Sequence, residues 1–176
     1  MPRDMPQATG KSLTKALSRI SLLCLDVDGV LTDGRLLYSS SGDELKAFYT
    51  QDGSALKRLQ ASGVAIAIIS GRTSTMVKRR SAELGIKHLY EGYETKLPAL
   101  QDLQKKTGIE LANMAHIGDD VPDIALFEQV GLGLAVADAH PAVRAAADHT
   151  ASLPGGKGAV RELAELIMQA RANAAS

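Results

Sequence analysis

Apolar positions along the chain fall into two alternating patterns. The first is a short, continuous apolar run. "SLLCLD" (Ser21–Asp26) and "VAIAIIS" (Val64–Ser70) are the clearest cases, and "NMAHIGD" (Asn113–Asp119) and "GLGLAV" (Gly131–Val136) are weaker ones. Such runs suit strands covered on both faces. The second pattern is helical. Leu56 and Leu59 mark one helix, Val77 and Leu84 a second, and Leu97, Leu100 and Leu103 a third. Val160, Leu163, Ala164 and Ile167 follow the i, i+3, i+4, i+7 rule for a last helix. The alternation predicts an α/β fold: a three-layer, doubly wound, mainly parallel sheet of Rossmann-like type.

One segment interrupts the alternation. "GRLLYSSSGDELKAFYT" (Gly34–Thr50) places two short apolar or aromatic runs around "SSSGD". That reads as a β-hairpin inserted after the first strand. Its apolar residues Leu36, Tyr38 and Phe48 find no obvious partner within the chain, which suggests self-association. The first ten residues read as a frayed tail and Lys11 to Ile20 as a short helix. Residues 21–176 then form a single domain. "PGGKG" (Pro154–Gly158) reads as a flexible loop feeding the last helix, with Lys157 near the site as a helper.

Composition narrows the function. The chain has 176 residues, enough for one compact domain with a core. Its 20 basic and 20 acidic residues cancel, and it has two Phe, four Tyr and no Trp. Both facts argue against a nucleic-acid partner. No apolar run is long enough to span a membrane, and the polar N-terminal segment lacks the pattern of a secretory signal. The one cysteine, Cys24, sits within an apolar run and reads as a small buried hydrophobe. A single thiol cannot form a disulfide within the chain, which fits a reducing cytoplasm.

Candidate chemistry gathers at the predicted strand ends. In a doubly wound sheet, ligands bind outside the carboxyl ends of the strands. The first strand ends in Asp26 and Asp28, the second in Ser70, Gly71 and Arg72. A later strand ends in Gly118, Asp119 and Asp120, with Asp123 one turn on, and Lys96 opens the intervening helix. Carboxylates crowded in one pocket raise each other's pKa unless a cation intervenes. The donors are hard oxygens with no Cys–His cluster, which points to Mg²⁺. Ser70 and Lys96 are placed to hold phosphate oxygens, and an ionised Asp is a competent nucleophile for phosphoryl transfer.

The motifs Asp26-Val-Asp28-Gly29-Val30, Ser70, Lys96, and Gly118-Asp119-Asp120 with Asp123 occur in the order of the haloacid dehalogenase-like phosphatases, which the chain resembles. The resemblance implies that Asp26 attacks phosphorus and that Asp28 acts as general acid and then base. It implies Mg²⁺ held by the side chains of Asp26 and Asp119 and the carbonyl of Asp28. Asp120 or Asp123 would orient the metal's surroundings or Lys96.

The hairpin and the short spacing from Ser70 to Asp119 leave no room for a large cap domain. "GDELKAF", "DGSALK", "ISGR", "VADAHP" and "GGKGAVRE" extend the similarity to a small capless branch acting on phosphorylated sugar acids. In that branch hairpins assemble a homotetramer and complete neighbouring sites. The resemblance implies substrate contacts by Asp28, Tyr49, Thr50, Gln51, Asp52, Gly53, Lys57, Arg72, Arg80 and Lys96. Gln51 and Lys57 stand where some relatives carry Arg.

Plainer readings accompany several of these residues. Asp33-Gly34 reads as a turn opening the hairpin. Ser70 could cap a helix, and Asp120 or Asp123 could be first-turn acids favoured by the helix dipole. His116 reads as a core or surface residue rather than a ligand, and His140-Pro141 as a helix start. A signalling receiver domain also gathers acids and a lysine on a sheet rim. Its acidic pair, however, comes early with the phosphorylated Asp alone on a later strand, and it has no hairpin here.

Overall fold

The computed structural model describes residues 10–176. The expected tail lies outside the described residues apart from Gly10, which opens the first helix, α1 (Gly10–Ser18). The chain then runs through β1 (Leu22–Leu25), β2 (Leu37–Tyr38), β3 (Glu44–Leu45), α2 (Thr50–Ala61), β4 (Ala65–Ile69) and α3 (Thr75–Leu84). It continues through β5 (His88–Tyr90), α4 (Leu97–Thr107), β6 (Met114–Gly118), α5 (Ile124–Phe127) and β7 (Leu132–Ala135). The last elements are α6 (Pro141–Ala146), β8 (His149–Thr150) and α7 (Ala159–Ala175).

Six strands form one sheet in the order β5-β4-β1-β6-β7-β8, every pairing parallel. β2 and β3 pair antiparallel as a separate hairpin. The chain builds outward from β1 to β4 and β5, then crosses back to β6 on the other side of β1. The winding therefore reverses between β1 and β6, which opens a crevice at their carboxyl ends.

The continuous apolar runs are explained by burial on both faces. Leu23 and Leu25 of β1, with Ile66 and Ile68 of β4, meet a layer that contains Leu17 of α1, Leu56 and Leu59 of α2, and Leu163 and Ile167 of α7. Leu22, Cys24, Ala67 and Ile69 point the other way, against Leu100 and Leu103 of α4 and Leu126 of α5. The three-layer expectation holds, and Cys24 is a buried free thiol.

Three local expectations are corrected. The hairpin segment stops short of Thr50, which is the first residue of α2. Phe48 is half-buried against the core, with the Arg80 guanidinium 5.9 Å from its ring centre. The exposed apolar set of the hairpin is instead Leu36, Leu37, Tyr38 and Leu45. Finally, Pro154–Gly158 is packed rather than free: the Gly156 N–H donates to the Val30 carbonyl and the Gly155 N–H to Asp138 Oδ1.

Candidate active site

The sheet topology explains why residues ninety positions apart meet. β1 and β6 are neighbours in register, Leu25 beside Ile117, so the residues that follow them emerge together. The Asp26 N–H still donates to the Ile117 carbonyl, at 3.1 Å. The chain after β1 turns at Gly29, whose φ of +90° suits glycine. A Cβ there would stand 2.0 Å from Asp119 Oδ2, so only glycine lets the two loops approach this closely. After β6, a short 3₁₀ turn (Val121–Asp123) folds Asp123 back over the strand end. A Cβ on Gly118 would lie 2.4 Å from Asp123 Cβ.

The result is a cavity of about 500 Å³ lined by Asp26, Asp28, Ser70, Arg72, Lys96 and Asp119, among others. Asp120 and Asp123 also line it, as do Tyr93 and Glu94. Lys96, the residue before α4, is buried and placed between two carboxylates. Its Nζ lies 2.6 Å from Asp123 Oδ1 and 3.1 Å from Asp26 Oδ2. Burial alone would lower the pKa of this lysine; the charges of Asp26 and Asp123 outweigh it and hold the ammonium protonated.

The carboxylates divide into a saturated one and two open ones. Asp123 accepts four hydrogen bonds. Lys96 Nζ and His116 Nε2 meet Oδ1, while the N–H groups of Asp119 and Asp120 meet Oδ2. Burial pushes its pKa up, but the His116 and Lys96 bonds prevail and leave it below the usual carboxylate range. Asp120 is exposed and accepts from the Val121 N–H, capping the 3₁₀ turn. Of these two acids, Asp123 is the one paired with Lys96.

Asp26 and Asp119 are different. Burial raises both pKa values. At Asp119 the charges of Asp26, Asp123 and Asp120 add to burial and push it up to about 8. Oδ1 of Asp119 is buried and has no hydrogen-bond partner among the described residues. Oxygens of Asp26, Asp119 and Asp123 lie within 4.8 Å of one another. Crowded hard oxygens that resist ionisation, one of them lacking any donor, fit a divalent hard cation.

The hairpin contributes a cluster that the motif pattern did not reveal. Lys46 Nζ lies 2.5 Å from Asp28 Oδ1 and 3.3 Å from Glu44 Oε1. Arg72 donates to the same Glu44 oxygen at 2.9 Å, and its Nε stands 3.9 Å from Asp28 Oδ2. Glu44 and Lys46 are two residues apart with Leu45 between them. The period-two alternation of a strand therefore carried this signal. His116 was also missed as a site residue, although a histidine in an otherwise apolar strand is a visible anomaly.

Other expected substrate contacts lie elsewhere in the chain. Tyr49 and Gln51 line a second cavity of about 480 Å³ with Lys157, Gly158 and Arg161. Asp52 is buried under the first turn of α7, where Oδ1 accepts from the Arg161 N–H. Gly53 sits under Arg80, while Thr50 and Lys57 are exposed. None of Thr50, Asp52, Gly53, Lys57 and Arg80 lines either cavity. Ser70 does not cap α3. That helix starts at Thr75 after Ser74, and the Ser70 hydroxyl instead accepts from the Arg72 N–H at 3.3 Å. His140 opens α6 as expected, its Nδ1 accepting from the Ala142 N–H.

A parallel 3-2-1-4-5-6 sheet with Asp-x-Asp after its first strand, and a lysine-bridged acid cluster after its fourth, defines a haloacid dehalogenase-like hydrolase. The family model described as haloacid dehalogenase-like hydrolase matches residues 89–161. The 3-deoxy-D-manno-octulosonate 8-phosphate phosphatase of Salmonella typhi is 46% identical over 159 residues, covering 90% of this chain and 84% of that protein. The same enzyme of Escherichia coli K12 is 47% identical over 152 residues, covering 86% of this chain and 81% of that one. The Moraxella catarrhalis phosphatase, solved with a magnesium ion, a phosphate ion and a KDO molecule, superposes with a TM-score of 0.91. It shares 46% identity over 94% of this chain and 95% of its own. The chain belongs to the 3-deoxy-D-manno-octulosonate 8-phosphate phosphatase family.

Proposed function

We propose that the protein is a Mg²⁺-dependent phosphatase that hydrolyses 3-deoxy-D-manno-octulosonate 8-phosphate to the free sugar acid and phosphate, a step in lipopolysaccharide precursor synthesis. The observation that carries this is the placement of Lys96 between Asp26 and Asp123, with Asp119 facing Asp26 across the switch point of the sheet.

Asp26 attacks phosphorus, the P–O bond to the sugar breaks, and Asp28 gives its proton to the departing alkoxide. The product on the protein is an aspartyl-phosphate. Asp28 then takes a proton from water, whose oxygen attacks phosphorus and releases inorganic phosphate and free Asp26. Lys96 neutralises the phosphoryl oxygens and keeps the Asp26 oxygen aimed at them, and the Ser70 hydroxyl donates to a second oxygen. Asp26 and Asp119 would hold Mg²⁺, with the Asp28 carbonyl. When bound, the ion neutralises phosphoryl charge and allows both carboxylates to be ionised together. At the mouth, Arg72 offers a cation to the sugar-acid carboxylate.

The assembly we infer is a cytoplasmic homotetramer. Leu36, Leu37, Tyr38 and Leu45 expose 45–60% of their surface on the hairpin. An isolated two-stranded hairpin is marginal in water, so this apolar skin favours contact with other copies. Tyr49, Gln51, Thr50, Lys57 and Arg80 remain candidate substrate contacts in that assembly.

The test is phosphate release from the eight-carbon sugar acid 8-phosphate against a panel including nine-carbon sugar-acid 9-phosphates, with Asp26→Asn alongside. We expect the eight-carbon substrate to lead in kcat/KM and Asp26→Asn to be folded but inactive. Turnover retained by Asp26→Asn refutes the nucleophile, and a preference for a nine-carbon substrate refutes the assignment of substrate.

A further inference from the structure

Every residue of β6 is buried, and His116 at its centre is fully so. Its parallel partners are Cys24 on one side and Gly133 on the other, and its ring packs 5.9 Å from that of Phe127. An imidazole in such a layer is costly, because each ring nitrogen loses water. Among the described residues, Nδ1 finds no partner. The one compensation is Nε2, 2.8 Å from Asp123 Oδ1. The other three groups on the Asp123 oxygens, Lys96 Nζ and the N–H groups of Asp119 and Asp120, are all donors, so the carboxylate acts as an acceptor. The imidazole therefore carries its proton on Nε2 and donates it.

The value of that bond depends on what Asp123 does. Its two oxygens join two pieces of the site: Lys96 on Oδ1, and the backbone N–H groups of Asp119 and Asp120 on Oδ2. His116 is the one donor of the four that does not line the cavity. Lys96 is shared between Asp123 at 2.6 Å and Asp26 at 3.1 Å. Without a second donor on Oδ1, the carboxylate would be free to turn towards the lysine. Lys96 would move off Asp26, and Oδ2 would leave the two N–H groups that set the loop carrying Asp119.

We propose that His116 is a positioning residue for phosphoryl transfer: through Asp123 it fixes Lys96 against Asp26 and the Asp119–Asp120 backbone at the metal position. The proposal rests on Asp26 and Asp119 being the reacting and metal-holding acids.

The experiment compares His116→Gln, His116→Asn and His116→Leu. The Gln amide nitrogen reaches the Nε2 position, the Asn nitrogen reaches only the Nδ1 position, and Leu has no donor. Each variant is measured for kcat and KM per folded molecule. The Mg²⁺ concentration giving half the maximal thermal shift is measured without substrate. Losing a partner behind a site of this kind typically costs about 10–100-fold in activity or metal affinity.

We expect Asn and Leu to lose kcat by that factor with KM within about threefold. Their half-saturating Mg²⁺ should rise, while Gln stays within a few-fold of wild type. Wild-type kcat in Asn or Leu overturns the proposal, as does a Gln variant as impaired as Asn. If Leu does not fold, the Gln–Asn contrast decides alone. If the wild-type chain releases no phosphate, the functional reading fails, and the Mg²⁺ shift of the Gln–Asn pair still decides the role of His116.

Discussion

Asp52 offers a test of the folded structure that is independent of the metal site. It lies in the first turn of α2, 1% exposed, and its carboxylate faces the start of α7. Oδ1 accepts from the Arg161 N–H at 3.0 Å, while Oδ2 is buried without a partner. Burial pushes its pKa from the ordinary 3.8 up to about 6, and the N–H groups of Arg161 and Gly158 restrain the rise. The folded state therefore holds this proton more tightly than the unfolded chain does. The associated stability is fully present below about pH 3.8 and is lost as pH rises through about 6.

A shift of about two units is worth about 3 kcal/mol at most. Between pH 4.5 and 8 the loss integrates to about 2 kcal/mol. Asp52→Asn keeps an acceptor at Oδ1 and cannot ionise, so it should escape that loss. Urea unfolding of both proteins across this pH range, at one protein concentration, isolates the difference because all other groups titrate alike. We expect wild type to fall about 2 kcal/mol relative to Asp52→Asn as pH rises, whatever fixed offset the buried amide adds. Parallel pH profiles would refute the argument. They would show that the helix start and its N–H groups outweigh burial at Asp52.

Three further outcomes follow from the geometry. Gly29→Ala places a methyl 2.0 Å from Asp119 Oδ2 on a backbone of φ +90°, so half-saturating Mg²⁺ should rise about tenfold or more. Unchanged Mg²⁺ dependence would mean that the two loops separate without cost. Lys46→Met removes the cation bonded to Asp28 and Glu44, and kcat/KM for phosphate release should fall roughly tenfold or more, given about 1.5–3 kcal/mol for a charge-assisted bond. A variant with wild-type kcat/KM removes the hairpin from the chemistry. Leu37→Asp with Leu45→Asp charges the exposed hairpin, and analytical ultracentrifugation should show a single chain with unchanged circular dichroism. A variant that associates as the wild type does places any interface elsewhere.

The parts of the fold legible in the sequence were those where burial leaves no alternative. β1, β4, β6 and β7 are covered on both faces, so their apolar runs are continuous and their acids mark where the cover ends. β5 and β8 were not legible. They have three and two residues, His88, Tyr90, His149 and Thr150 among them, and lie at the sheet edges, where one neighbour suffices. Phe48 belongs to the core rather than the hairpin face because the chain has already turned towards α2. His116 read as a core or surface residue; it is fully buried, and its partner comes seven residues later through a 3₁₀ turn, which hydrophobic periodicity does not describe.

Charge accounting ties the two clusters to the reaction. At the base of the cavity, Asp26, Asp119 and Asp123 lie together and the single ammonium of Lys96 pairs with Asp26 and Asp123, leaving two negative charges if all are ionised. Burial first, and then the charges of Asp26, Asp123 and Asp120, push the pKa of Asp119 up to about 8, and one divalent cation would balance the cluster. Beside the cavity, Asp28 and Glu44 face Lys46 and Arg72, and with Asp28 carrying the proton that it delivers to the leaving group this cluster holds one positive charge in excess. A sugar-acid phosphate thus meets two different environments. Its phosphate enters a base completed by a metal ion. Arg72, which lines the cavity, is the cation open to its carboxylate, and Glu44 competes for it. The hairpin thus meets the cavity through its Lys46 and Glu44 contacts to Asp28 and Arg72, while the acid cluster lies at the ends of β1 and β6.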